Sequence, residues 1–346
     1  MTLRVLELFG GIGACTKALE RLHIPHEIVD YVEIDKYAVK SYNAIHGTNF
    51  EPQDITEWDK DINVDLIMHG SPCQDFSIAG KLAGGDKGSG TRSSLMYETL
   101  RIVEKLKPKY VIWENVKNLL GERNRHNFDN YLEEMERLGY KNYYQVLNAK
   151  DYGIPQNRER VFTVSLLGDK KFEFPEKKPL MKTLGDMLEP EVDERFYLKK
   201  TQNIVFTEKR VYWDNSGKGY GSQQDRAVYP DGLSPTLSSC NGNGDKAQVC
   251  IIASRGRGKN NEQQLEPRKD GLTNTITSVQ KDNYVAKDYK IRKLTPREVW
   301  RLMGFDDTDF EKAEKVNSNT QLYKQAGNSI VVNVLEGILN NLRKVE

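Results

Sequence analysis

The sequence predicts an α/β protein, a Rossmann-like doubly wound sheet joined to a smaller β- and loop-rich unit. Three observations carry that expectation. Over residues 1–174 short apolar runs alternate with helical stretches, the pattern of a parallel sheet covered by helices. A glycine cluster, Phe9-Gly10-Gly11-Ile12-Gly13, stands where the first apolar run gives way to the first helical stretch. After Phe174-Pro175 the chain turns rich in Gly, Asn, Gln, Ser and Thr with few helical periods, and helical character returns only near 291.

Taken in order, Arg4-Val5-Leu6-Glu7-Leu8-Phe9 reads as the first strand and 14–22 as the helix after it. A strand over 27–34 and a helix over 36–45 follow, then a short strand ahead of Asp54. Asp65-Leu66-Ile67-Met68-His69-Gly70 is a further strand. Beyond it Gly80, Gly84, Gly85, Gly88 and Gly90 make the chain too glycine-rich for a helix, and the segment reads as a mobile lid. A helix over 94–106 leads into the strand Tyr110-Val111-Ile112-Trp113-Glu114, a helix over 128–138, and strands near 143–147 and 160–167. Residues 175–290 form the second unit, with a slight local excess of basic residues. Asp231-Gly232-Leu233-Ser234-Pro235-Thr236-Leu237 there echoes Asp270-Gly271-Leu272-Thr273-Asn274-Thr275-Ile276, which marks two similar strand-turn units rather than a repeat array. In the last part, 291–346, Thr295 is positioned as an N-cap, Pro296 as the first helical residue and Glu298 as the partner in a capping box. A final helix over 329–343 carries Ile330, Val331, Val334, Leu335, Ile338, Leu339 and Leu342 at helical spacing, so one face must be buried, against the first domain.

Composition narrows the class. Of 346 residues 38% are hydrophobic and 29% charged, as in a globular rather than a disordered chain. No apolar run approaches the ~18–20 residues of a membrane span, and the N-terminus lacks a signal peptide's pattern, so a cytoplasmic protein without a membrane partner is expected. The net charge of +1 neither announces nucleic acid nor excludes it, since a local basic face is sufficient. Cys15, Cys73, Cys240 and Cys250 are scattered with no Cys-x-x-Cys pair, which argues against a disulfide framework and leaves no metal site to expect.

Four groups of residues carry candidate chemistry. The glycine turn lets a ligand approach the backbone and the helix N-terminus, but the dinucleotide fingerprint fails, because Thr16 stands where the third glycine belongs. Glu33, closing the second strand, is positioned for a ribose diol, and Asp54 for an adenine amino group; together they point to an adenosine-type cofactor without choosing one. Cys73 follows Pro72 at a strand end, where α/β enzymes put their sites, and is a candidate nucleophile; an inert buried thiol is the alternative. Glu114 emerges at the same sheet edge, where burial raises a carboxyl's pKa and suits it to donating a proton, or where it can serve as a cap. Alternation directs Arg158 and Arg160 to one side, toward a carboxylate, a phosphate or a base carbonyl.

In this order and spacing the segments resemble the DNA cytosine-5 methyltransferase family, in its single-chain bacterial or phage form. The likeness rests on Phe9-Gly10-Gly11-Ile12-Gly13, Glu33, Asp54, Gly70-Ser71-Pro72-Cys73-Gln74, Glu114-Asn115-Val116 and Gln156-x-Arg158-x-Arg160, extended by Arg292-Lys293-Leu294-Thr295-Pro296-Arg297-Glu298 and Gln325-Ala326-Gly327-Asn328-Ser329. The Pro-Cys, Glu-Asn-Val and Gln-x-Arg-x-Arg trio is highly specific; the glycine turn is not. The resemblance implies the S-adenosylmethionine-dependent methyltransferase fold, with residues 175–290 as the variable target recognition domain. It implies double-stranded DNA as substrate and transfer of a methyl group from S-adenosylmethionine to carbon 5 of a flipped-out cytosine. Cys73 would add to carbon 6, Glu114 would hold ring nitrogen 3, Arg158 would orient the base carbonyl or Glu114, and Arg160 would support it. Phe9, Gly10, Gly11, Gly13, Glu33, Ile34, Asp54, Ile55, Pro72, Asn328 and Ser329 would line the cofactor site. Gln223, Arg226, Thr236, Arg255 and Arg257 are the residues expected to meet DNA. A monomer is expected, in a bacterial cell or a phage-infected host, with a restriction endonuclease able to act on the same site without a stable complex.

Other readings remain open at this point. A methyltransferase of the same lineage acting on transfer RNA shares these motifs. A catalytically silent DNA-binding regulator predicts damage at Pro72-Cys73, Glu114 or Arg158, and all are intact. A nicotinamide oxidoreductase leaves the Pro-Cys segment unexplained.

Overall fold

The computed structural model describes residues 2–72, 95–197, 204–207, 210–213, 226–228, 250–256, 263–268, 272–273, 275–276, 283–287 and 290–345. The first part alternates β1 (Leu3–Leu8), α1 (Ala14–Arg21), β2 (His26–Val32), α2 (Lys36–His46) and β3 (Leu66–His69). It continues with α3 (Met96–Leu106), β4 (Tyr110–Val116), α4 (Arg125–Arg137), β5 (Tyr140–Asn148) and β6 (Glu159–Leu167). These six strands make one sheet in the order β2-β1-β3-β4-β6-β5. The β1–β3 and β3–β4 pairs are parallel, whereas β6 runs antiparallel to both β4 and β5. This corrects the expectation of a parallel sheet. Apolar runs report burial and not direction, and the connection from β5 to β6, residues 149–158, holds only a short 3-10 turn (Ala149–Tyr152) ended by Gly153 (φ 87°) rather than a helical crossover.

Two further expectations change locally. No strand precedes Asp54: residues 51–54 are irregular, tied to the sheet by Gln53 N donating to Glu33 O at 2.9 Å. The last helix begins at Val332 rather than 329, because Ser329 and Val331 are extended (ψ 159° and 117°).

Strand alternation sorts the apolar side chains onto two faces. Val5, Leu66, Met68, Ile112 and Val164 face α1 and the C-terminal helices. Leu6, Leu8, Ile67, Val111 and Trp113 face α3 and α4, against Met96, Ile102, Val103, Phe128 and Tyr131. Both faces are therefore covered, which is what makes the sheet doubly wound.

The C-terminal part supplies α5 (Pro296–Arg301), α6 (Asp307–Glu314), α7 (Asn319–Asn328) and α8 (Val332–Leu342) behind that first face. α5 starts as its sequence requires: Thr295 Oγ1 accepts from Glu298 N, Glu298 Oε2 accepts from Thr295 N at 2.8 Å, and Pro296 occupies the first turn. Leu335, Ile338, Leu339 and Leu342 of α8 sink into the core shared with Ala18 and Leu19 of α1. Charge adds to it, with Arg21 3.3 Å from Glu336 of α8, and ties α1 to the start of α6 through Lys17, 2.9 Å from Asp309, and Arg21, 2.6 Å from Asp306.

Between these parts lie two antiparallel sheets. One, in the order β7-β8-β9, comprises Ile204–Thr207, Arg210–Trp213 and Arg226–Val228. The other, in the order β11-β10-β12-β13, comprises β10 (Cys250–Gly256), β11 (Gln263–Arg268), β12 (Asn283–Lys287) and β13 (Lys290–Lys293). Thr273 joins the second unit to the first by exchanging backbone hydrogen bonds with Pro155 and Asn157 (2.9 and 2.8 Å). Among the described residues no helix is long and apolar enough to cross a membrane.

Candidate active site

The glycine turn after β1 is held in a conformation few sequences can adopt. Phe9, Gly11 and Gly13 all have positive φ (53°, 56° and 80°), and Phe9 does so without glycine's freedom. A side chain at Gly10 would begin 2.6 Å from the Tyr31 ring, and one at Gly13 would begin 2.3 Å from His46 Nε2. Gly11 faces open space instead. Tyr31, stacked on Tyr42 with centroids 3.9 Å apart, donates its hydroxyl to Gly11 O at 2.6 Å. The turn is thus clamped from beneath and free above.

Glu33 completes the clamp. Its carboxylate accepts from Gly11 N at 3.1 Å and from Asp35 N at 2.9 Å, while burial holds its pKa above the ordinary glutamate value. Ile34 beside it is 68% exposed. Asp54 accepts from Thr56 N and Oγ1 in a local turn. The side chain of Ile55, next along, packs into the core with Trp58, at 4% exposure.

At the mouth of the sheet a cleft of about 420 Å³, open solvent included, is lined by Phe9, Gly10, Gly11, Gly70, Glu114, Asn328 and Ser329. Residues from four distant stretches of sequence therefore meet there. Glu7 and Cys15 lie at its inner wall. Glu7, which the sequence reading passed over, caps the first turn of α1 by accepting from Thr16 N and Oγ1, and burial pushes its carboxyl up to about 6. A lone carboxylate inside an apolar strand was the available signal. Burial, with Glu7 nearby, raises the Cys15 thiol well above its ordinary value, so it stays protonated and packs as a small apolar group.

Glu114 reaches the cleft from β4 because alternation turns it to the same face as Ile112, away from Trp113. A methyl placed on Gly70 would stand 3.8 Å from Glu114 Oε2, which sets this carboxyl beside the chain three residues before Cys73. Burial raises its pKa against the lowering influence of Arg160 and Arg158, and the upward shift wins. Arg160 Nε lies 3.1 Å from Glu114 Oε1.

The structure gives the two arginines different partners. Arg160, not Arg158, is the guanidinium against Glu114. Arg158 precedes β6, so strand alternation does not govern it. Its Nη1 donates to Ile276 O (3.1 Å), and its Nη2 to Ser329 O (2.7 Å) and Gly327 O (3.2 Å). It thereby ties the Asn328-Ser329 wall of the cleft to the second unit. Gln156 acts alongside it, accepting from Ile276 N and donating to Leu302 O. No local pattern reveals either role, since these side-chain partners lie more than a hundred residues away.

Pro72 ends the described stretch before the site; Cys73 lies outside the described residues, as do Gln223, Thr236 and Arg257. Arg226 and Arg255 fall on β9 and β10.

The family of C-5 cytosine-specific DNA methylases matches the chain over residues 3–344. The type II methyltransferase M2.ScrFI of Lactococcus lactis subsp. cremoris is 35% identical, over 99% of this chain and 99% of its own. The orphan methyltransferase M.SPBetaI of Bacillus phage SPbeta is 33% identical, over 98% of this chain and 97% of its own. Among solved structures, the Dnmt2 methyltransferase of S. pombe shares the fold with a TM-score of 0.63 at 23% identity, covering 99% of each chain. The chain belongs to the C-5 cytosine-specific DNA methylase family and is a DNA (cytosine-5-)-methyltransferase.

Proposed function

We propose that this chain takes its methyl group from S-adenosylmethionine, bound across the glycine turn, and delivers it through a covalent adduct on Cys73. The supporting observation is the cleft itself: a buried Glu114, its pKa raised by burial and its carboxyl paired with Arg160, shares one cavity with the clamped glycine turn and Asn328-Ser329. The cofactor fits the residues present. Open space above Gly11 admits a ligand against the backbone, Glu33 keeps carboxylate lone pairs beyond its two amide bonds, and exposed Ile34 offers an apolar surface for an adenine face. When bound, the cofactor supplies an electrophilic methyl on a sulfonium.

The chain's own residues then have distinct tasks. Carbon 5 of cytosine is a weak nucleophile, and the base must leave the stack before any side chain can reach it. The Cys73 thiolate adds to carbon 6, and the displaced electron pair makes carbon 5 enamine-like and able to take the methyl group. Glu114 donates its proton toward ring nitrogen 3 as charge develops there, and Arg160 holds the carboxyl in place and meets the base edge. Loss of the carbon 5 proton to a base or water expels Cys73 and restores the aromatic ring. Arg158 acts at one remove, by fixing Asn328 and Ser329.

Residues 175–290 would be the target recognition domain, with Gln223, Arg226, Thr236, Arg255 and Arg257 meeting DNA. The enzyme would act as a monomer in the cytoplasm, and any endonuclease of the same specificity would work without a stable complex. The test is methylation mapping of DNA from a methylation-free host expressing the chain. The expected result is 5-methylcytosine at one fixed short sequence; unmodified DNA, or marks without a common sequence, overturns the reading.

A further inference from the structure

The aromatic layer beneath the sheet mouth reaches into the catalytic segment from the face opposite Glu114. Trp113 and Asn115 are two apart on β4, so both turn to the α3/α4 face, while Glu114 between them turns to the cleft. Trp113 Nε1 donates to Ser71 Oγ at 3.0 Å, and Asn115 Nδ2 donates to Ser71 O at 3.3 Å. Ser71, only 3% exposed, is held by side chain and main chain at once, two residues before Cys73.

The indole that makes this bond is itself fixed. It lies nearly parallel to the His69 ring (centroids 5.6 Å apart, 6° between planes) and against Tyr131 at 4.1 Å. His69 is fully buried, bonds Tyr131 Oη through Nε2 at 3.0 Å, and has no partner for Nδ1 among the described residues. A polar ring kept there with one nitrogen unsatisfied costs stability. The ring stands one strand over from Trp113, in register with it across the β3–β4 pair.

We propose that Trp113 is a positioning residue: through its bond to Ser71 it sets the nucleophile segment in register with Glu114, so that one strand aligns both reacting groups. The inference rests on the reading of Cys73 as nucleophile. It assigns Trp113 no contact with base or cofactor, so its effect falls on the chemical step and not on binding.

The test compares Trp113→Phe, which keeps a ring and removes the N–H, with Ser71→Ala, Ser71→Thr and the double variant Trp113→Phe/Ser71→Ala. Each variant is assayed for kcat, KM for DNA, cofactor affinity, Tm and the rate of covalent trapping on 5-fluorocytosine DNA. Misalignment of reacting atoms by about 1 Å costs on the order of 10²-fold. Trp113→Phe and Ser71→Ala are therefore each expected to lower kcat and the trapping rate by about 10–100-fold, with KM and cofactor affinity changed less than about threefold. The double variant should be no slower than the worse single one, and Ser71→Thr, which keeps a hydroxyl, should recover most of the rate. Trapping by Trp113→Phe at the wild-type rate, fully multiplicative losses, or losses confined to KM would each overturn the proposal. Absence of trapping by the wild-type enzyme would instead overturn the nucleophile reading, so the two failures are separable.

Discussion

Glu114→Gln is expected to lower kcat by about 10²–10⁴-fold, the range general-acid groups contribute, with little change in cofactor affinity. The amide keeps the shape and a hydrogen-bond donor but cannot pass a proton to the ring. The pH profile carries the sharper test. Glu114 serves while protonated, and burial raises its pKa, so activity is present below that raised value and is lost as pH rises through it. Arg160 pulls the same pKa down. Removing that charge in Arg160→Ala should therefore move the alkaline limb of kcat to higher pH even as the maximum rate falls. A limb that stays fixed in Arg160→Ala, or that survives in Glu114→Gln, would assign the titration to another group.

The second large effect concerns stability. Glu298 is fully buried, takes two bonds from Arg292 (2.7 and 2.8 Å), and also accepts from Thr295 N and Glu189 N. Glu298→Ala leaves a buried guanidinium and two backbone amides without their acceptor. Breaking a buried pair from one side costs about 3–5 kcal/mol, whereas replacing both partners with apolar groups is often neutral. Urea denaturation should show a loss of that size for Glu298→Ala and recovery of most of it in Arg292→Met/Glu298→Leu. Glu311→Ala, which removes a half-exposed partner of Arg297, should stay within about 0.5 kcal/mol of wild type. An equal loss at both sites would mean that burial is not what makes the Arg292 pair matter.

What could be read in the sequence divides along the range of the interactions. The α5 cap was legible because Thr295, Pro296 and Glu298 satisfy one another within a single turn. The buried face of α8 was legible because helical spacing writes it into the chain. The Glu33 position was legible as a strand end, yet its bond to Gly11 N was not, since that needs two strands in register. Direction of β6 was invisible to composition, and so was the residue at which it begins, Glu159. Where the strand begins decides which guanidinium faces Glu114, and Arg158's acceptors come from residues 276, 327 and 329. Gln156 stood out as part of the Gln-x-Arg-x-Arg motif, but its contacts, like the clamp by Tyr31, left no local trace, because each acts on a backbone that folding alone brings near.

Cys73 remains the center of the account, and its chemistry can be asked for directly. DNA carrying 5-fluorocytosine at the target retains fluorine where a proton must leave, so the adduct persists on the enzyme. In the presence of S-adenosylmethionine the wild-type protein should form a denaturation-resistant complex with that DNA, and so should Cys15→Ser, whose parent thiol burial keeps protonated. Cys73→Ala should form none. An adduct that persists in Cys73→Ala would contradict the central claim.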